Sequence, residues 1–126
     1  MTVVPGDRIE FADLPGRASG DPLEAADSSS SVRIVRLARG AQRMAHRHPL
    51  SEEVIYVERG SGAVYLDGSF HPVAPGDVIH IPPGAAHATV PDPGEEMVLI
   101  AFFPHPQLAK NHEETDIDVM AVATDD

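Results

Sequence analysis

Short apolar runs separated by turn residues dominate the chain from residue 32 to residue 103, and no stretch there keeps a helix-length period. Residues 32–37, Val-Arg-Ile-Val-Arg-Leu, are rich in the β-branched side chains that strands favour. Arg33 and Arg36 do not share one polar face, so the register of this strand is left open. Residues 44–48, 53–59, 63–66, 69–73, 77–81 and 87–90 read as further strands, each closed by Gly, Pro or an acidic turn. Asp67-Gly68 is the clearest hairpin signal, because a two-residue turn needs positive φ there. Residues 97–103, Met-Val-Leu-Ile-Ala-Phe-Phe, are apolar on both faces and predict a central or covered strand.

The two ends differ from this middle. Residues 1–31 are rich in turn formers: residues 8–11 offer a short edge strand, residues 13–22 read as loop, and a polar serine run follows. The plain expectation is a connecting arm; the sharper ones are that it reaches a second subunit, or that Arg17 lines a pocket mouth. After Pro104 the chain turns polar, with a helical turn or two expected near residues 108–114. Residues 116–126 are acidic and read as a loose tail or an edge-strand extension. The division is therefore an arm (1–31), a barrel (32–104) and an acidic segment (105–126). Eight to ten short strands on hairpin-scale connections, without internal repeat, predict an all-β fold: a double-stranded β-helix, or jelly-roll, barrel.

Composition narrows the partners. The 126 residues carry a formal net charge of −11, from 20 acidic and 9 basic side chains. An acidic chain with no basic stripe is a poor ligand for nucleic acid or for an anionic membrane surface. The absence of cysteine excludes disulfides, thiolate catalysis and zinc–thiolate sites. No basic-then-apolar leader and no long apolar run stands out, and a cytoplasmic protein is the expectation.

The candidate chemistry lies between residues 40 and 91. His46 and His48 are two apart on a strand and so share a face. Pro49, Leu50 and Ser51 bend the chain, and Glu53 opens the next strand on the face of Ile55 and Val57. An antiparallel return brings Glu53 beside the two imidazoles. Two neutral nitrogens and one carboxylate aimed at one point suit a divalent first-row metal. His87, after a Pro82-Pro83-Gly84 turn, offers one more donor.

These two stretches resemble the two motifs of the cupin family. Gly40, His46, His48, Glu53 and Gly60 fall on the first, and Gly76, Pro82, Gly84 and His87 on the second. The second motif's closing Asn is absent, Pro91 standing in its place. The resemblance implies a jelly-roll barrel holding one divalent ion (Fe, Mn, Ni or Zn) through His46, His48, Glu53 and His87. Glu53 is preferred to Glu52 because it keeps the motif's spacing to Gly60 and the strand's parity. It also implies a metal-dependent enzyme on a small molecule. The first expectation is a dioxygenase-like oxidoreductase acting on an oxygenated, metal-chelating substrate, with Glu53 as base. The alternatives are a non-redox cyclase, isomerase or lyase, similar to the polyketide-cyclase cupins, and a binding protein without catalysis. Pocket walls are expected from Ile55, Val57 and Phe102, and a homodimer from the apolar 97–103 strand. Among the other histidines, His80 is read as a pocket or subunit-contact residue, and His71, His105 and His112 as solvent-exposed. Tyr56 and Tyr65 are read as packing residues.

Overall fold

The computed structural model describes residues 1–38 and 44–120; Gly40, the first residue of the first motif, falls outside them. The described residues form eleven strands and one three-residue 3-10 turn, Gly6–Arg8. They are β1 (Phe11–Leu14), β2 (Arg17–Gly20), β3 (Ser31–Leu37), β4 (Met44–Arg47), β5 (Glu53–Arg59), β6 (Gly62–Leu66), β7 (Ser69–Val73), β8 (Val78–Ile81), β9 (His87–Pro91), β10 (Met97–Phe103) and β11 (Glu113–Asp118). Two sheets result, one of order β1-β2-β3-β10-β5-β8 and one of order β11-β4-β9-β6-β7. Every pairing is antiparallel. This is the all-β, jelly-roll barrel that the spacing of short strands predicts.

Alternation sets the core. On β3, Val35 and Leu37 face inward; on β10, Met97, Leu99, Ala101 and Phe103 do; on β5, Ile55 and Val57. With Val64 and Ile81 they make the main core. A smaller cluster of Ala45, Tyr65, Ala88 and Val119 lies on the second sheet. Strand β10 is central, between β3 and β5, but its even residues Ile100 and Phe102 stay partly exposed on the outer face.

Two turns bear out their glycine signals. Asp67 (φ 50°) and Gly68 (φ 86°) close the β6–β7 hairpin in the left-handed geometry that such a turn requires. Gly60 has φ 79°, and a Cβ there would collide with the carbonyl oxygen of Glu96, so the residue is glycine for space as well as conformation.

The ends hold more structure than their composition suggests. Strands β1 and β2 occupy part of the 13–22 stretch expected as loop, and they extend the larger sheet beyond β3. Turn residues here sit at a hairpin tip, where Gly16 has φ 76°, and the edge position tolerates weak strand formers. Residues 108–110 form a turn and not a helix of two turns, and β11 pairs with β4 as an edge strand.

Candidate metal centre

Strands β4, β5 and β9 bring the histidines and one carboxylate together. His46 pairs across to His87, which sets both on the inner face of the smaller sheet. Glu53 opens β5 on the inner face of the larger sheet, level with Ile81. All four predicted side chains are buried, with residue exposures of 9% for His46, 3% for His48, 2% for Glu53 and 2% for His87. Glu52 points elsewhere: it is exposed, and its carboxylate lies 3.9 Å from exposed His80. Strand parity thus separates the two adjacent acids, as the spacing argument expects.

The Nε2 atom of His48 is 3.2 Å from Glu53 Oε1, and that of His87 is 2.9 Å from the same oxygen. The donor atoms of His48, Glu53 and His87 lie within 4.8 Å of one another, a group that could hold a metal ion. His46 belongs to a second, overlapping group with His48 and His112. Its ring centroid is 4.9 Å from that of His48 and 4.5 Å from that of His87.

Hydrogen bonding on the far side of each ring decides which nitrogen faces inward as a lone pair. His48 Nδ1 is 2.7 Å from the carbonyl oxygen of Asn111, and His87 Nδ1 is 2.9 Å from that of Ala85. A carbonyl only accepts, so Nδ1–H donates in both rings and Nε2 is the atom turned toward Glu53; in a neutral ring that Nε2 is the lone pair a metal takes. The inward atoms His46 Nε2, His48 Nε2, His87 Nε2 and Glu53 Oε1 are buried without a hydrogen-bond partner. Leaving one buried polar group unsatisfied costs about 1–3 kcal/mol. His48 and His87 press on the same Glu53 oxygen and His46 Nε2 has no partner, so the cluster is under-satisfied. A proton shared between Glu53 and one imidazole relieves only part of this; a cation among His48, Glu53 and His87 would relieve more of it. The residues present fit a divalent ion.

Electrostatics agree in sign. Burial, followed by the neighbouring His87, Arg33 and His48, holds His46 far below the usual imidazole range, so the ring is neutral. Burial alone would raise the Glu53 carboxyl, but the imidazoles of His48 and His87 outweigh it and hold the group well below the ordinary carboxylate range. A neutral His46 and an ionised Glu53 are in the protonation states that bind metal.

Several residues of this region are not apparent from the sequence motifs. Asn111 is buried and clamps the β4–β5 bend: its carbonyl takes the His48 proton, its Oδ1 accepts from the Leu50 amide at 2.8 Å, and its Nδ2 donates to Ser51 Oγ at 2.8 Å. His112, read as exposed, instead stacks on His46 at 5.0 Å and donates Nε2–H to Glu114 at 2.8 Å. Nothing local in the sequence marks either residue for this site, since their contacts with β4 and the bend after it lie some 60 positions away. His80 turns outward beside Glu52, while Ser31 Oγ donates to the His105 carbonyl.

Beside the histidines lies a small, partly open cavity of about 40 Å³. Its lining includes Val35, Leu37, Ile55, Leu99, Ala101 and Thr89, with Glu53, His46 and His87 at the ligand end and Arg17 and Arg33 as its cations. Ile55 is a wall as expected, and Arg17 does line the pocket. Val57 is core and does not line this cavity. Phe102 is 43% exposed, so it is no wall either. Strand β10 is apolar on both faces, which hides its parity until a neighbouring strand fixes it.

Comparison with known proteins gives the same frame. The family model described as "Cupin domain" matches residues 33–103. An uncharacterised protein of Methanocaldococcus jannaschii, MJ1618, is 33% identical over 78 residues, 62% of this chain and 60% of that protein. Protein SchB of Streptomyces halstedii is 32% identical over 87 residues, 63% of each. The match thus spans less than two thirds of these curated relatives. The solved structure of the polyketide cyclase RemF from Streptomyces resistomycificus superposes with a TM-score of 0.73 at 22% identity, covering 94% of this chain and 87% of that one.

Proposed function

The chain belongs to the cupin family, and from that premise we propose that it is a metal-dependent enzyme acting on a small oxygenated molecule in the barrel. The observation that carries this reading is the buried group of His48, Glu53 and His87 donor atoms, all within 4.8 Å of one another, with His46 Nε2 buried beside them without a partner. In this reading those four side chains hold one divalent ion. Bound there, the ion would supply a Lewis acid that acidifies an oxygenated substrate.

The chain's own contribution is orientation and proton handling. The carbonyls of Asn111 and Ala85 fix the rings of His48 and His87. The depressed Glu53 carboxyl stays ionised, and so it is free to accept a proton. That same depression makes it a weak base, suited only to a proton that has already been acidified. The aliphatic walls exclude water and strengthen each of these interactions.

These proton-handling groups support non-redox chemistry, namely cyclisation, isomerisation or elimination, ahead of the dioxygenase-like oxidation also implied by the motifs. The likeness of the fold to a polyketide cyclase accords with this order. Stripping the metal and reloading with zinc or iron, with turnover of enolic and phenolic substrates followed with and without oxygen, tests it. Zinc-supported anaerobic turnover is the expected result. Oxygen uptake that requires iron would instead establish the oxidative reading, and turnover unaffected by stripping would remove the metal altogether.

We also propose a homodimer through the outer face of the larger sheet. Ile34, Ile100, Tyr56 and Val78 lie side by side across β3, β10, β5 and β8, with Val32, Phe102 and Val54 in the next row. Tyr56, Val78, Ile100 and Phe102 are between 37% and 66% exposed, an apolar stripe of the kind that marks an interface. Light scattering at micromolar concentration is expected to give twice the 13.4 kDa chain mass; the monomer mass would refute the dimer.

A further inference from the structure

The cavity next to the histidines contains a charge that the metal reading does not use. Arg33 lies on the inner face of β3, in the same register row as Ala101 on β10 and Ile55 on β5. Its neighbours on that face of β3 are Ser31 and Val35, both buried. Its Nε is buried with no hydrogen-bond partner. Its guanidinium carbon is 5.7 Å from the centroid of the Phe103 ring. Among the described residues no carboxylate forms an ion pair with it. Arg36, one face over on the same strand, makes the ordinary choice: it points outward and stacks on Phe11 at 3.9 Å.

A guanidinium does not escape burial by losing its proton. Arg33 is half-buried, and a partly desolvated cation is stabilised where an anion answers it. Glu53 and Asp21 act on Arg33 through space, against burial and the like charge of Arg17. Any divalent ion on Glu53 would claim the first of these. The lining then holds two arginines, with its one carboxylate already engaged. The cavity is therefore positive within a chain whose net charge is −11. Ala101, between Arg33 and Ile55, has too small a side chain to fill the row, so the guanidinium borders open space.

We propose that the barrel is an organic-anion site, in which Arg33, aided by Arg17 nearer the β2 edge, binds the carboxylate of a small organic acid while the acid's remaining oxygen faces Glu53 and the histidines. The second half of this statement rests on the metal-enzyme reading; the first half does not. The planar fork of Arg33 suits the two oxygens of a carboxylate. The apolar walls of Val35, Leu37, Ile55 and Leu99 suit a carbon body between the two polar ends.

The test compares anions with their neutral amides. Zinc-loaded protein is titrated by NMR or calorimetry with benzoate and benzamide, and with acetate and acetamide. Each acid is expected to bind at least tenfold more tightly than its amide. Arg33→Gln is expected to weaken benzoate by at least tenfold and Arg17→Gln by a few fold, with zinc affinity unchanged in both. Arg33→Lys, which keeps the charge but loses the fork, is expected to fall between. Arg33→Met is expected to raise the melting temperature of the zinc-loaded protein while abolishing the preference for the acid; a structural arginine would do the reverse.

Equal binding of acid and amide by the unmutated protein overturns the proposal without recourse to any variant. So does benzoate binding that survives Arg33→Gln but vanishes on chelation, because the anion would then sit on the ion alone. The metal reading fails separately. In the His48→Ala, His87→Ala protein, Arg33-dependent benzoate binding without zinc binding supports the anion site on its own. Zinc binding by the parent protein without any acid preference removes the anion site and leaves the metal centre.

Discussion

The two faces of the larger sheet are made by the same strands and break opposite rules. The inner face, which should be apolar, carries Glu53 and Arg33 among Val35, Ile55 and Leu99. The outer face, which should be polar, carries Tyr56, Val78, Ile100 and Phe102. Neither exception is cheap: ionised groups resist desolvation, and large apolar patches are uncommon on monomers. The outer stripe runs in register across four strands, and the two inner charges line one cavity, so neither is an isolated misfit. On the readings proposed above, the charges inside would receive a ligand and the apolar groups outside another surface.

The sharpest way to break this contrast uses neighbours in sequence. Glu53→Gln is expected to weaken zinc about a hundredfold in a competition assay, roughly 2.7 kcal/mol, whereas Glu52→Gln, on the exposed side, leaves it unchanged. Equal effects would dissolve the distinction between the faces. Next in size is Asn111→Ala, which strands the Leu50 amide and takes one of two partners from the Ser51 hydroxyl, and is expected to cost about 1–3 kcal/mol in urea unfolding. Zinc affinity should fall less than with Glu53→Gln, because the bond to His48 comes from the backbone. Phe102→Asp, on the outer face, is expected to raise the dimer dissociation constant at least tenfold by analytical ultracentrifugation. It should leave zinc binding intact.

The smallest effect concerns protons. In the folded metal-free protein His46 is held below its unfolded value, near 6.5, so its contribution is present above that pH. As the pH falls below about 6.5 the unfolded chain takes up a proton that the folded one refuses, and stability declines. His46→Gln is expected to flatten this slope in melting temperatures measured between pH 7 and pH 5.

The strands from β3 to β10 and the pairing of His48 with Glu53 were legible because alternation and turn signals act over a few residues, whereas His87 joined them only through the resemblance to the second motif. The parity of β10 was not, since Leu99, Ile100, Ala101 and Phe102 are all apolar; only pairing with β3 shows that Ala101 and Phe103 face in. Arg33 was within reach: counting back by twos from Val35 and Leu37 puts it on the apolar face. The roles of Asn111 and His112 were not, because the segment after β10 returns to β4 through contacts that no local pattern encodes. Strands β1 and β2 were obscured by turn residues that belong to the hairpin tip between them.

Ala101 gives the barrel an adjustable gauge. It stands between a guanidinium and an isoleucine on a strand otherwise committed to packing, with no hydrogen-bonding side chain of its own. A single added methyl or isobutyl group at that position would shorten the molecule the hollow admits and leave the donors at its end where they are. On the proposed reading, scope for smaller or larger cargo would thus be held separately from the chemistry performed on it.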